Sequence, residues 1–170
     1  MEIIRADNSG FCFGVKKALE TTQDQIKESK ASNSKGSLFT CGPLIHNKIV
    51  TSQLENDGVR IIKTPDEAKE GDTIIVRSHG EPKAFYDRME KLNLNYVDTT
   101  CPFVSKIHTI VNGACKEGKK IIIIGDANHQ EVIATNGWCD NSAYIINSPD
   151  EVEAVESGEY LVVCQTTIRK

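Results

Sequence analysis

The sequence has no apolar run that approaches the length needed to cross a membrane. It has no excess of positive charge either. Its formal net charge at pH 7 is -4, and such a field does not attract nucleic acid or anionic lipid. Met1 leads within a few residues into a predicted strand, with no positively charged leader segment. These absences predict a cytoplasmic protein without a membrane or nucleic-acid partner.

The six cysteines include no Cys-x-x-Cys pair, which disfavours a zinc ribbon or a ferredoxin-type cluster loop. Without a secretion signal, the thiols are expected to be reduced, so metal or redox chemistry is favoured over a disulfide framework. The composition is 39% hydrophobic and 26% charged over 170 residues. This is the makeup of a globular protein with one compact core or two small ones.

Short β-branched runs alternate with helical patterns along the whole chain. Strands are predicted at 2–6, 37–41, 59–62, 73–76, 94–97, 120–125, 143–147 and 160–164. Helices are predicted at 13–29, 46–56, 65–70, 82–92, 102–117, 129–137 and 149–156. This alternation predicts an α/β fold with mostly parallel sheets.

One arrangement occurs twice along the chain. A strand is followed by a cysteine, a helix, a strand, a histidine, and a later strand that ends in a polar group. We predict two small α/β units, 1–95 and 96–170, which repeat in placement more than in residue identity. Because parallel sheets bind ligands beyond the carboxyl ends of their strands, the polar residues at those ends are candidate site residues. They are Cys12, His46, His79, Cys101, His129 and Thr166.

Cys12 and Cys101 each open the first helix of a unit. A thiol at a helix N-terminus faces unpaired backbone N–H groups and the positive end of the helix dipole, which favours the thiolate that binds iron or zinc. A lone cysteine is more often a small buried hydrophobe. Two in the same repeated position favour a functional role. The other four, Cys41, Cys115, Cys139 and Cys164, are interpreted as structural, with Cys41 and Cys164 in buried runs. Cys139, in "NGWCD", is the most plausible exception.

Three histidines stand at strand-to-helix switches, in "GPLIHN", "VRSHGEP" and "DANHQEV". Imidazole donors combined with helix-terminal N–H groups can hold a phosphate or diphosphate without a P-loop. A single such histidine would more often be a structural hydrogen-bonding group. Three at equivalent positions favour an anion site formed by His46, His79 and His129. His108 lies inside a helix and is interpreted as structural.

Glu131 and the "CQTT" stretch complete the candidate set. A carboxyl group in the first turn of a helix, partly shielded from water, can deliver a proton to a leaving hydroxyl. The same carboxyl could merely complement the helix dipole. The hydroxyls of Thr166 and Thr167 could bind a substrate oxygen or simply cap the following turn.

Six blocks of this sequence are similar to those of a known enzyme family. They are "GFCFGVKKAL", "GPLIHNKIV", "RSHG", "VDTTCPFVSKIH", "GDANHQEVIATNGW" and "CQTT". Together, and in this order, they resemble the 4-hydroxy-3-methylbut-2-enyl diphosphate reductases of the non-mevalonate isoprenoid pathway, the IspH or LytB family. The resemblance extends from one end of the chain to the other.

The resemblance implies a cofactor, a reaction and partners. Members of the family use three pseudo-repeated α/β units, each of which gives one cysteine to a central 4Fe-4S cluster. Cys12 and Cys101 match the first two cysteines. His46, His79 and His129 match the diphosphate-binding histidines, Glu131 the proton-delivering acid and Thr166 the substrate-contacting threonine. The substrate would be 4-hydroxy-3-methylbut-2-enyl diphosphate, and the electron donor a small ferredoxin- or flavodoxin-like protein.

The sequence departs from the family pattern in two respects. No third unit follows "CQTT" within these 170 residues, so we expect the chain to be the first two units of a reductase, with the third cysteine outside it. We therefore expect little or no activity from the chain alone. Gln130 stands where the family commonly has proline.

Two other functions remain open at this point. One is a non-catalytic α/β phosphate-binding module in which Cys12 and Cys101 are structural. The other is a zinc-dependent hydrolase in which the three histidines hold the metal, because neutral imidazoles are good zinc ligands. Neither function explains why a cysteine stands before the first helix of each repeated unit.

Overall fold

Two parallel sheets organise the chain, which confirms the predicted α/β fold. The computed structural model describes residues 2–4, 6–7, 9–32 and 36–168. The first sheet has the strand order β2-β1-β3-β4, and the second has the order β6-β5-β7. The strands are β1 (Leu38–Cys41), β2 (Val59–Ile62), β3 (Thr73–Val76), β4 (Asn95–Asp98), β5 (Lys120–Ile124), β6 (Tyr144–Ile146) and β7 (Tyr160–Cys164).

Helices cross over between the strands, as parallel pairing requires. The α-helices are α1 (Phe13–Ala31), α2 (Lys48–Asn56), α3 (Lys83–Lys91), α4 (Pro102–Lys116) and α5 (Gln130–Asn136). Short 3-10 helices cover Pro65–Glu67, Gly137–Cys139 and Pro149–Ala154. Among the described residues, no helix has the length and apolarity needed to cross a membrane.

The two sheets repeat one strand arrangement. In the first sheet, Leu38 of β1 pairs with Val59 of β2 on one side and with Thr73 of β3 on the other. In the second sheet, β5 is flanked in the same way by β6 and β7. The first strand in chain order is thus central to both sheets, and the next two strands lie on either side of it. The repeat seen in the placement of polar residues is therefore also a repeat of topology.

Alternate residues of the first sheet point to opposite faces, and both faces are covered. Leu38 and Ile75 pack with Ile26 of α1 and Leu54 of α2. Their strand neighbours, including Phe39, pack on the other face in a cluster that contains Met89 of α3. The second sheet has a separate core built on Val111, Ile121, Ile123 and Val132. This explains why its strands read as nearly continuous apolar runs.

The predicted boundary between residues 95 and 96 runs through β4. All four residues of β4 pair with β3, so this strand belongs to the first sheet. Cys101 and α4 follow it at once and lead into the second sheet. We therefore propose that the two units meet between Asp98 and Cys101.

Two of the predicted helical stretches form short 3-10 helices. The stretch 65–70 forms only a 3-10 turn at Pro65–Glu67, because the Glu67 carboxylate accepts hydrogen bonds from the backbone N–H groups of Lys63 and Thr64 and closes the turn. The stretch 149–156 is a 3-10 helix over Pro149–Ala154 with no buried residue. An α-helix draws most of its stability from a packed apolar face, and this segment has none.

The first predicted strand, 2–6, is not formed in the described residues. Glu2, Ile3, Ile4 and Ala6 are not in a strand, and Arg5 lies outside the described residues. Ile3 and Ile4 are 81% and 83% exposed. β propensity alone does not make a strand, since the backbone also needs a neighbour to pair with. Within the described chain these residues have none.

The segment 77–82, directly after β3, contacts the second unit through its backbone. The carbonyl of Ser78 accepts a hydrogen bond from the N–H of Cys101, at 3.0 Å. The carbonyl of Glu81 accepts one from the indole Nε1 of Trp138, also at 3.0 Å. Both carbonyl groups lie in an irregular stretch outside the sheet. These hydrogen bonds therefore supply the partners that the backbone carbonyls need, and they also join the two units.

Replacing Gly137 with alanine tests how tightly the units pack. An added Cβ would lie 2.4 Å from the Cβ of Pro82, a distance that no relaxed contact allows. We expect Gly137→Ala to lower the free energy of unfolding by about 1–3 kcal/mol. Gly113 lies in α4 with open space around it, so Gly113→Ala is the matched control and should raise stability by up to about 1 kcal/mol. Urea unfolding of both variants makes the comparison, and equal effects would contradict the close contact.

Candidate functional site

Three imidazole rings meet at the carboxyl ends of the strands. The ring centroids of His46 and His79 are 4.6 Å apart, those of His79 and His129 5.7 Å, and those of His46 and His129 6.2 Å. His46 follows β1 and His79 follows β3, both in the first sheet, whereas His129 follows β5 in the second. The structure thus brings together the three histidines predicted from their strand-end positions.

Burial has a strong effect on the pKa of His79. Burial lowers the pKa of its ring from 6.5 to about 4, helped by the nearby positive charge of His46, then His129, then Arg77. Its Nδ1 is buried without a hydrogen-bond partner in the part of the chain that the structure describes. A polar atom in that state is costly, so it points to a group that completes the site.

Glu131 links the imidazole cluster to the "CQTT" stretch. Its side chain is buried, at 2% exposure. Its carboxylate accepts hydrogen bonds from the backbone N–H of Thr166 at 2.5 Å and from the hydroxyl of Thr166 at 2.8 Å. Its own backbone N–H donates to Nδ1 of His129 at 3.2 Å. A neutral His129 therefore carries its proton on Nε2.

Gln165 fixes the turn that carries Thr166. Its side-chain oxygen accepts from the N–H of Asp126 at 3.1 Å, and its side-chain nitrogen donates to the hydroxyl of Thr167 at 2.8 Å. Gly125 lies so close that a Cβ there would be 2.8 Å from the Gln165 oxygen. The ends of β5 and β7 are therefore held together beneath the Glu131–Thr166 contact.

Cys12 and Cys101 line one open cavity of about 660 Å³. They precede α1 and α4 as N-cap residues, and neither side chain caps its own helix. The Sγ of Cys101 lies over Gly14, where an added Cβ would be 2.6 Å away. Thr166 lines the same cavity, so the thiols share a space with the group that Glu131 holds.

The other four cysteines lie outside this cavity, as predicted. Cys41 is buried, and burial raises the pKa of its thiol to about 12. Cys139 is buried too, and its thiol donates to the carbonyl of Asn136. Cys164, expected in a buried run, is exposed because alternate residues of the edge strand β7 face solvent. Within the described ranges, no three His, Cys, Asp or Glu side chains are grouped so that they could hold a metal ion.

Sequence reasoning missed three residues that shape the site: Arg77, Glu81 and Trp138. Arg77 lies beside His79, and its guanidinium donates to the side-chain oxygen of Gln130 at 3.1 Å. Trp138 holds the carbonyl of Glu81 and stacks on His108, with ring centroids 5.5 Å apart. Of the three, only the arginine in "VRSHGEP" could have been found from the sequence, because it stands two residues before a candidate histidine. The others depend on contacts between distant parts of the chain.

The fold and the site define an α/β protein of two docked units with a cluster of three imidazoles, which Glu131 and Thr166 connect to a cavity lined by two thiols. A profile of the LytB protein family matches residues 3–170. The chain belongs to that family.

Curated relatives and solved structures agree with this placement. The chain is 46% identical to the 4-hydroxy-3-methylbut-2-enyl diphosphate reductase of Alkaliphilus oremlandii over 169 residues, covering 99% of this chain and 59% of the relative. Identity to the enzyme of the same name from Clostridioides difficile is 43%, with 99% and 60% covered. The chain thus spans about three fifths of the length of these relatives.

Two solved structures share the fold. One is (E)-4-hydroxy-3-methyl-but-2-enyl diphosphate reductase, the terminal enzyme of the non-mevalonate pathway; it is 37% identical, with a TM-score of 0.81 over 99% of this chain and 59% of that one. The other is the E-1-hydroxy-2-methyl-but-2-enyl-4-diphosphate reductase of Plasmodium falciparum. It is 30% identical, with a TM-score of 0.87 over 95% of this chain and 50% of that one.

Stability should fall in mild acid because two buried histidines resist protonation. Burial lowers the pKa of His108, as of His79, from 6.5 to about 4. Between these values the unfolded chain takes up protons that the native state does not, so the free energy of unfolding decreases as pH falls from 6.5 towards 4. Each histidine contributes up to about 3 kcal/mol to this loss.

Urea unfolding at pH 7, 5.5 and 4.5 measures the effect. His108→Gln should flatten the pH dependence, whatever it does to stability at pH 7. Lys116→Gln is the control, because that side chain is exposed and lies at the last residue of α4. An unchanged slope in His108→Gln would contradict the assignment.

Proposed function

We propose that this chain forms two units of a 4-hydroxy-3-methylbut-2-enyl diphosphate reductase. The reaction removes the allylic hydroxyl with two electrons and two protons, and it releases water with isopentenyl and dimethylallyl diphosphates. The proposal is carried by one observation: three imidazoles from two sheets converge, and Glu131 and Thr166 connect them to a cavity with two thiols. The names of the relatives agree with it.

The imidazole cluster is proposed to bind the diphosphate. His129 presents its Nε2 proton, because its Nδ1 already accepts a backbone hydrogen bond. His79 has an unsatisfied Nδ1, and its ring would gain from an anion that offsets the cost of its burial. Imidazole N–H groups can donate hydrogen bonds to phosphate oxygens.

Glu131 and Thr166 are proposed to deliver the proton. A protonated Glu131 can pass a proton to the hydroxyl of Thr166, from which it lies 2.8 Å, and Thr166 can pass its own proton to the substrate oxygen. The backbone N–H of Thr166 holds the carboxylate in place for this exchange. Delivery to the oxygen lets water leave in place of hydroxide, and water is the better leaving group.

Cys12 and Cys101 are proposed to hold two irons of a 4Fe-4S cluster. The residues fit such a group: both thiols line one cavity, and Gly14 leaves room beside the sulfur of Cys101 that a Cβ would fill. When bound, the cluster supplies electrons and a Lewis-acidic iron for the substrate oxygen. The apolar side chains of Phe13, Phe103 and Ile110 line the same cavity and are themselves 64%, 68% and 42% exposed.

The wider setting is also a proposal. The electrons would come from a ferredoxin- or flavodoxin-like protein in the cytoplasm. The net charge of -4 supports the expectation that neither nucleic acid nor a membrane surface is a partner.

Inorganic pyrophosphate tests the anion site directly. We expect isothermal titration calorimetry at pH 7 to show tighter binding of pyrophosphate than of inorganic phosphate, because three donors can engage two phosphoryl groups. His79→Gln should weaken pyrophosphate binding about tenfold, the usual cost of one hydrogen bond to a charged group. Lys116→Gln, which removes a cation at the far end of α4, is the control. Equal affinity for the two anions would contradict a diphosphate site.

Anaerobic reconstitution with ferrous iron and sulfide tests the thiol pair. We expect the chain to turn brown but to lose iron readily on gel filtration, since two thiolates leave most of a cluster open to solvent. Cys12→Ser and Cys101→Ser should abolish the visible absorbance, whereas Cys164→Ser, which changes an exposed thiol outside the cavity, should not. Turnover with reduced viologen should be slight.

The outcomes separate the reductase from its alternatives. Pyrophosphate binding without iron uptake would favour a phosphate-binding module. If the Cys101→Ser variant still takes up iron, the proposal that Cys12 and Cys101 bind the cluster is contradicted. Sustained turnover by the 170-residue chain would show that two thiols are sufficient.

A further inference from the structure

The guanidinium of Arg77 lies between the three turns that carry the imidazoles, yet its nitrogens face protein groups. Its side chain is 12% exposed. Nε donates to a carboxylate oxygen of Glu81 at 2.6 Å, and Nη2 lies 2.6 Å from the same oxygen. Nη2 also donates to the side-chain oxygen of Gln130, at 3.1 Å. Nη1 faces Gly42, where an added Cβ would be 3.0 Å away.

These contacts reach each of the three turns. Gly42 begins the turn that leads from β1 to His46, and its φ of +82° leaves no easy place for a side chain there. Arg77 itself stands two residues before His79. Gln130 is the first residue of α5 and directly follows His129. One side chain therefore touches the turn before His46, the turn of His79 and the turn of His129.

Glu81 keeps the guanidinium in this position. Its side chain is 8% exposed, so the ion pair is nearly removed from water. Burial raises the pKa of Glu81, while the charge of Arg77 and its hydrogen bond lower it. The backbone carbonyl of Glu81 is bound by Trp138 of the second unit. The pair is thus held from both units, and a buried pair of this kind tolerates little displacement.

We propose that Arg77 is a positioning residue that sets the spacing between the imidazoles of the first sheet and His129 of the second. The link acts through Gln130 and does not require contact between Arg77 and the ligand. The inference rests on the proposed diphosphate site and adds to it a named determinant of affinity. Because Glu81 compensates the charge of Arg77, the effect is one of geometry rather than of added positive potential.

A double-mutant cycle on pyrophosphate affinity tests the link. Arg77→Lys keeps a charge for Glu81, but a single ammonium is too short to serve both Glu81 and Gln130. Gln130→Pro removes the acceptor and suits the first position of a helix. Each variant should weaken pyrophosphate binding about three- to tenfold, the range for one ordinary hydrogen bond, because the effect on the ligand is indirect. The double variant should bind pyrophosphate no less tightly than the single variant with the lower affinity, because both substitutions remove the same contact.

Two further measurements separate positioning from general destabilisation. The ring ¹⁵N resonances of His129 should shift in Arg77→Lys, although the two residues belong to different units. The melting temperature of Gln130→Pro should stay within about 3 °C of the unsubstituted chain, since the position is only half-buried. Arg88→Lys alters another arginine–carboxylate pair of the first unit, with Asp66 at the surface, and is the matched control. It should change neither affinity nor resonances.

The results distinguish this inference from the function on which it rests. If the unsubstituted chain binds pyrophosphate and both single variants bind within twofold of it, the positioning role is overturned and the diphosphate site stands. Additive losses in the double variant would overturn it as well. If the unsubstituted chain does not bind pyrophosphate, the proposed function fails. The His129 resonances then decide the positioning role, which unshifted signals would overturn.

Discussion

The docking of segment 77–82 against the second unit is the constraint on which the site depends. His79 lies in the middle of this segment, so whatever fixes the segment fixes the ring. The N–H of Cys101 holds Ser78, and the indole of Trp138 holds Glu81. Gly80 fits closely against the ring of His108, where a Cβ would be 2.5 Å from its Cε1. The same contacts fix the position of the helix that follows Cys101 relative to the turn that carries His79.

Burial and hydrogen bonding divide the polar groups of the site into two kinds. The Glu131 carboxylate is fully engaged by Thr166, which makes that part rigid and specific. The imidazoles are close to one another but bonded to little around them, with Nδ1 of His79 left unsatisfied in the described chain. Close polar groups without partners are costly when buried, so this cluster is the less stable part of the site. Under the proposed function, an anion that bridges the imidazoles would offset that cost.

The sequence predicts well those features of the structure that depend on local residue patterns. Strands such as Val59–Ile62 and Thr73–Val76 match their predicted bounds, because short apolar runs between glycines and polar turns have few alternatives. The histidines were found because strand ends are where parallel sheets bind ligands. The pattern failed where tertiary contact decides: Ile3 and Ile4 lack a neighbour to pair with, and the acidic stretch 149–156 lacks a core to pack on. The Arg77–Gln130 contact joins residues 53 positions apart, which no local periodicity encodes.

The pairing of Gly14 with Cys101 has a consequence for how the protein matures. The glycine belongs to the helix of one unit and the sulfur to the other, so the two thiols face a common space only after the units have docked. Under the proposed function, an inorganic group that both sulfurs share would bind after the two units have docked. Glycine at position 14 leaves the space beside the sulfur of Cys101 that a larger residue would fill.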